Sequence, residues 1–315
     1  MKFINAILGI AIVCFLLWYL AGYWPQLAQL VNFSAGQIAA MYLLCVVAVF
    51  VSAIAVRIVL KSFGKKTGIV EMFNLNNAVN LLNYAPMKAG TIFRGVYLKK
   101  HHGLGYSHYA SFFVYMTVLT GALSSLLAAI AMVLFIDISE PKIRITAAFF
   151  FAVAVGLGAI LFVPLPILKG QNKLSMILRN FLDGKKIIST NLPAVAKAGL
   201  LIIFFSFLTA VRLGIIYYGI NQQINPAGLL VFAALDCLSL FISFTPGSLG
   251  LRELLFSAGA AGLGIPLEIG LFAAMIDRAV LVAYAFTAGV VSTIILWRKV
   301  PADFKDISKQ PIISQ

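Results

Sequence analysis

Long apolar runs alternate with short polar stretches along almost the whole chain. A helix of roughly twenty apolar residues is long enough to cross the hydrocarbon core of a bilayer. On that pattern six full transmembrane helices are expected, at about 3–20, 38–60, 109–135, 145–167, 194–218 and 269–296. Two other regions are apolar but interrupted. Between Glu71 and Gly105, Asn74, Asn76, Asn77, Asn80 and Asn83 precede Pro86, and Lys88, Gly90, Arg94, Lys99 and Lys100 follow it. Interleaved Phe73, Leu75, Val79, Leu81, Leu82, Ile92, Phe93 and Val96 argue against an ordinary loop. Two short amphipathic pieces hinged at Pro86 fit better, either re-entrant or lying at the interface. The second interrupted region starts at Pro226, breaks at Pro246-Gly247, and resumes from Leu249 to Gly264. A spanning helix can break only where protein or water re-satisfies the freed backbone groups.

The two interrupted regions resemble each other. Pro86 to Gly90 and Pro246 to Gly250 both read Pro-x-x-x-Gly, and each is followed by a Gly-Leu-Gly step, at 103–105 and 262–264. A long apolar span follows each step. The expected hinge residues are therefore Pro86, Gly90, Pro246, Gly247 and Gly250. Span, broken hairpin, span would occur twice, at about 38–135 and 194–297, as an inverted repeat of the kind found in many transporters.

Composition removes the soluble alternatives. The 315 residues are 62% hydrophobic and 11% charged, with a mean hydropathy of +1.00. A net charge of +14 would suit nucleic acid. Here, however, the basic residues sit in short loops beside apolar spans, where they set topology and attract anionic lipid surfaces. No nucleic-acid partner is expected. Lys61, Lys65 and Lys66, then Lys169 to Lys186, then Arg298 and Lys299 mark one side, against only Lys142 and Arg144 on the other. The positive-inside rule then puts the N- and C-termini in the cytoplasm of a multi-pass cell (inner) membrane protein. Residues 1–300 form one transmembrane domain and 301–315 a short cytoplasmic tail. Arg57 and Arg212, each close to a span end, are expected to snorkel.

Ionisable residues at membrane depth are costly and tend to face a bundle interior or a watery cavity. Counting helical rise of about 1.5 Å per residue, Asp236, Asp277 and Arg278 fall near mid-bilayer. Arg252 and Glu253 follow the second break at once. Two outcomes are open for this set: closed pairs such as Arg252 with Asp277 and Glu253 with Arg278, or a polar cavity. In the cavity, Arg252 and Arg278 would meet a phosphate while the acids balance them, with Arg94 as counterpart in the first half. The expected headgroup-binding residues are Arg94, Arg252, Glu253, Arg278, Asp277 and Asp236. Cys14, Cys45 and Cys237 lie in apolar spans without metal-like spacing, and His101, His102 and His108 lack ligand partners at useful spacing. No metal, cofactor or catalytic motif is expected, and no enzymatic activity.

At these residues the chain resembles the lysylphosphatidylglycerol synthase transmembrane family, flippase-like integral membrane proteins. The second-half pattern is Pro246, Leu249, Gly250, Arg252, Glu253, Gly262, Gly264 and Arg278, and the looser first-half pattern is Asn83, Pro86, Gly90 and Arg94. The resemblance implies a membrane domain that, in its best-known relatives, moves an aminoacylated phospholipid between leaflets ahead of a soluble aminoacyl-transfer domain. This chain would be a stand-alone member without that domain. The expectation is an all-α polytopic integral membrane protein that binds a phospholipid or lipid-linked headgroup and translocates it between leaflets. Two rivals are a non-transporting partner of a separate lipid synthase or glycosyltransferase, and a membrane-embedded lipid-modifying enzyme.

Overall fold

The computed structural model describes residues 32–85, 89–137, 139–162, 173–242 and 250–299. The expected span at 3–20, the tail 301–315, Pro86, Pro246 and Gly247 lie outside these residues. Within them the regular elements are helices: α1 (Ala35–Ser62), α2 (Ile69–Leu82), α3 (Ala89–His102), α4 (Tyr106–Phe135), α5 (Pro141–Phe162), α6 (Lys173–Thr190), α7 (Leu192–Gly219), α8 (Pro226–Ile242), α9 (Leu251–Gly262), α10 (Leu267–Tyr284) and α11 (Val290–Lys299). Five segments are long and apolar enough to cross a membrane: α1, α4, α5, α7 and the joined α10–α11. The chain is a polytopic helical membrane protein.

The helix ends follow from local chemistry. Ser34 caps α1 through a reciprocal pair: its hydroxyl accepts from the Gln37 amide and the Gln37 side chain accepts from its own amide. Asn191 caps α7, accepting from the Ala194 amide, with Pro193 in the first turn, as its sequence suggests. Glu71 accepts from the Gly68 amide at the start of α2, and from Tyr97 (2.9 Å) and His102 (2.8 Å) of α3. One carboxylate thus ties together the base of the first hairpin. Burial pushes the Glu71 carboxyl up, but the His102, Tyr97 and Gly68 bonds outweigh it and leave it below its ordinary value of 4.5. A depressed acid stabilises the fold fully above its unfolded pKa, and that contribution is lost as pH falls through the folded value. Glu71→Gln is expected to cost about 1–2 kcal/mol at neutral pH, read as a lower melting temperature in detergent that converges with wild type in acid.

Two regions differ from expectation. Residues 168–193 looked like a cytoplasmic loop because of their charge. Most of them instead form α6, an amphipathic helix whose last turns turn Phe181, Leu182 and Ile188 inward. Ser111 of α4 donates to the Phe181 carbonyl (2.6 Å), and Gly184 sits so close to Ser111 that an added Cβ would lie 2.5 Å from its hydroxyl. The last span, expected to be continuous, is interrupted by a π turn at Ala285–Gly289. Such single π turns occur inside α-helices, often at functional sites. Here Gly289 faces Leu81 and the Asn77 carbonyl of α2.

The packing repeats with its partners exchanged. α1 packs along α7. The first arm of the first hairpin, α2, packs on α11 and the π turn, which close the second half. The first arm of the second hairpin, α8, packs on α4, which closes the first half. α1 likewise meets α10 as α7 meets α4. Two apolar clusters fill opposite ends of the bundle. One joins Val56, Leu60, Met72, Leu98, Phe112 and Val195, and the other joins Met41, Ile216, Phe232, Phe256 and Phe272. Between these clusters Ser52 and Cys45 of α1 meet Asn76 and Arg212, and α7 carries the buried Ser206, Thr209 and Arg212. The outer surface exposes large apolar side chains such as Leu134, Phe149, Phe204 and Val291, as a lipid-facing surface requires.

Candidate functional site

The polar layer between the two apolar clusters is built from both hairpins. Arg252 and Glu253 enter it from the first turn of α9. Gly250, just before that turn, has φ of 85°, a conformation that costs glycine little and other residues more. That turn lets Glu253 Oε2 accept from the Gly250 amide at 2.8 Å, while its other oxygen meets Arg278 of α10 at 2.7–2.8 Å. Arg252 reaches two acids. Its Nε donates to Asp236 of α8 at 2.5 Å, and its Nη2 donates to Asp277 of α10. The same guanidinium lies 4.6 Å over the Phe256 ring. Asp277, fully enclosed, also accepts two bonds from Arg212 of α7, at 2.7 and 3.2 Å.

Both pairings anticipated from sequence, Arg252 with Asp277 and Glu253 with Arg278, are present. Arg212 does not snorkel: it is buried at 4% exposure and paired with Asp277. A bidentate carboxylate within reach holds a guanidinium better than stretching toward an interface one to two turns away. Position along α7 alone suggested a span end, whereas the neighbour that fixes Arg212 is Asp277 on α10. Three arginines (Arg212, Arg252 and Arg278) therefore face three acids (Asp236, Glu253 and Asp277), and the set is neutral.

The first half contributes differently. Asn76, Asn80 and Asn83 recur at i, i+4 and i+7 along α2, and Thr91 and Arg94 at i and i+3 on α3, so each set occupies one helix face. Gly90 permits the two arms to meet: an added Cβ would lie 2.2 Å from the Val79 carbonyl oxygen and 2.6 Å from the Asn83 side-chain oxygen. Arg94 donates to Asn76 at 3.0 Å, and Asn76 donates in turn to Ser52 of α1. The two halves touch through polar groups. Tyr284 donates to Asn77 at 2.6 Å, and the Tyr84 hydroxyl bonds Arg278.

Between these walls lies a cavity of about 430 Å³. Arg94, Arg212, Arg252, Arg278 and Asp236 line it, together with the three asparagines of α2. Five of the residues singled out for chemistry from sequence (Arg94, Asp236, Arg252, Arg278 and, through its bonds, Asp277) meet at this one place. Glu253 stands behind Arg278. Arg212 is the member that sequence reasoning missed. Cys45 and Cys237 are free and buried at the cavity wall. His101 stacks on Tyr97 and His102 bonds Glu71, away from the cavity; no cluster of His, Cys, Asp or Glu suited to a metal occurs among the described residues.

No curated protein and no solved structure matches the chain. The family model described as the lysylphosphatidylglycerol synthase TM region matches residues 6–289, which include both hairpins and every residue of the cavity. With that match spanning nearly all of its length, the chain belongs to the lysylphosphatidylglycerol synthase transmembrane-region family.

Proposed function

We propose that this protein binds the headgroup of a phospholipid or lipid-linked molecule in the mid-bundle cavity and carries it between leaflets. The observation that supports this reading most is a cavity of about 430 Å³, shared by both hairpins, with four arginines on its walls inside an apolar bundle. Ionisable side chains inside an apolar bundle are costly, and those that face a cavity mark a functional site by default. Its size suits a headgroup better than acyl chains, which would remain in the bilayer. Membership in a family named for a lipid synthase's membrane region supports a lipid-related role.

In this mechanism the phosphate enters between Arg94 and the wall that bears Arg252 and Arg278, while Asp236, Glu253 and Asp277 hold those second-half arginines in place and keep their charge balanced. The two hairpins move relative to one another about their glycine-bearing breaks, breaking the Tyr84–Arg278 and Tyr284–Asn77 bonds as access changes sides. The termini face the cytoplasm and the loop between α4 and α5 faces outward. The chemistry requires no cofactor.

The test is leaflet exchange in reconstituted vesicles containing a phospholipid with a fluorescent headgroup. Before transport, an impermeant quencher reaches about half of the label. Wild-type protein should raise that fraction well above the level of protein-free vesicles. Exchange equal to protein-free vesicles, with protein inserted and folded, overturns translocation and favours a non-transporting partner of a lipid synthase or glycosyltransferase. Formation of a chemically new lipid would favour an enzyme.

A further inference from the structure

The charges around the cavity do not balance, and the excess sits on one residue. Among the described residues, Arg212, Arg252 and Arg278 are matched by Asp236, Glu253 and Asp277. Arg94 has no acid within ion-pair distance. Among the described residues it donates to a neutral amide, Asn76, and its Nε is enclosed without a partner. Arginine carries five N–H donors and stays charged in proteins. A charge held partly buried without a counter-charge is costly, and the fold retains this one, half-buried, on a cavity wall. Asn76, Asn80, Asn83 and Thr91 line the same cavity as neutral hydrogen-bonding groups, and the carboxylate on its wall, Asp236, is paired with Arg252.

We infer that Arg94, with the α2 asparagines and Thr91, is a selective subsite for a singly charged phosphodiester, and that the second-half arginines are not the primary anion ligands. This assignment deepens the lipid-headgroup reading and rests on it. One uncompensated positive charge calls for one negative charge. A phosphodiester supplies that charge on two equivalent oxygens that a guanidinium fork can meet together. The asparagine amides accept or donate, so they accommodate both ester and free oxygens. The neutral network of the second half then serves as a backstop, because Arg212, Arg252 and Arg278 are each already paired with an acid.

The experiment measures retained lipid by native mass spectrometry on the full chain in detergent. The probes are phosphatidylglycerol, diacylglycerol with the same tails, and inorganic phosphate as competitor. The wild type should retain phosphatidylglycerol and not diacylglycerol. Arg94→Gln should weaken retention roughly tenfold or more, since a charge-assisted bond to a buried anion is lost. Arg94→Lys should restore part of it, and Arg57→Gln, at an exposed arginine of α1, should leave it unchanged. Asn80→Asp places a competing carboxylate on the same wall without touching the Arg94–Asn76 bond. It should also abolish retention, which keeps the test decisive if Arg94→Gln does not fold. Displacement by millimolar inorganic phosphate supports a site that takes the bare anion, and failure to displace supports one that takes the lipid-borne ester. Retention of phosphatidylglycerol by a folded Arg94→Gln or Asn80→Asp variant at the wild-type level overturns the assignment, as does equal retention of diacylglycerol. Loss of leaflet exchange with retention intact would defeat translocation and spare this subsite. Exchange that proceeds while Arg94→Gln binds normally would do the reverse.

Discussion

Asp277→Asn should destabilise the protein more than any other single change in the polar layer, by about 3–5 kcal/mol. This carboxylate, fully enclosed, accepts from both Arg212 and Arg252. Its loss leaves Arg252 with Asp236 alone and takes from Arg212 the carboxylate it is paired with, and an isosteric amide cannot supply the charge. The readout is a large fall in melting temperature in detergent, with loss of a monodisperse species at growth temperature. The double variant Arg212→Gln with Asp277→Asn isolates the cause. It removes one charge of each sign and leaves Arg252 with Asp236, so the set is neutral again. If charge balance governs, the double variant recovers much of the stability lost by the single one. A double variant as unstable as the sum of its parts would show that packing around Asp277, and not its charge, sets the cost.

Gly90→Ala is the second large effect. The added methyl would stand 2.2 Å from the Val79 carbonyl oxygen, a backbone atom that cannot swing aside as a side chain could. The arms of the first hairpin must part, which costs about 1–3 kcal/mol by the usual scale of overpacking. Parting moves Thr91 and Arg94 relative to Asn76, so lipid retention and leaflet exchange should fall together with stability. Gly105→Ala provides the contrast. Its added carbon would make only ordinary contact with His108 at 3.8 Å, and little change is expected in either readout.

Much of this architecture was legible in the chain, and the exceptions share a cause. Arg252, Glu253 and Asp277 announced themselves because a charge inside an apolar run must find a partner, and only a few partners were within reach. The glycines of the two Pro-x-x-x-Gly motifs were visible as a pattern, but the reason for each was not. Gly250 answers to its own backbone dihedral, whereas Gly90 answers to an atom eleven residues earlier. Arg212 escaped because its depth was judged along one helix, while the partner that holds it stands on another, sixty-five residues later. α6 escaped because its charges masked the spacing of Phe181, Leu182 and Ile188. The π turn coincides with the close approach of Gly289 to Leu81 and Asn77 of α2, and the residues Ala285 to Gly289 carry no signature of it.

The exchanged packing bears on how such a chain could have arisen and how it could be taken apart. Each half offers the other the surface that its own hairpin leaves uncovered: α2 lies on the closing helix of the second half and α8 on that of the first, with α1 against α7 at the centre. A surface that two copies can present to each other in this way is that of a symmetric homodimer. Gene duplication followed by fusion through the α5–α6 connection would convert such a dimer into one chain. Later divergence could then leave the surplus charge at Arg94 in one half and the neutral network in the other. The two halves, made as separate polypeptides divided between Phe162 and Lys173, therefore carry complementary faces and the means to find each other in the membrane.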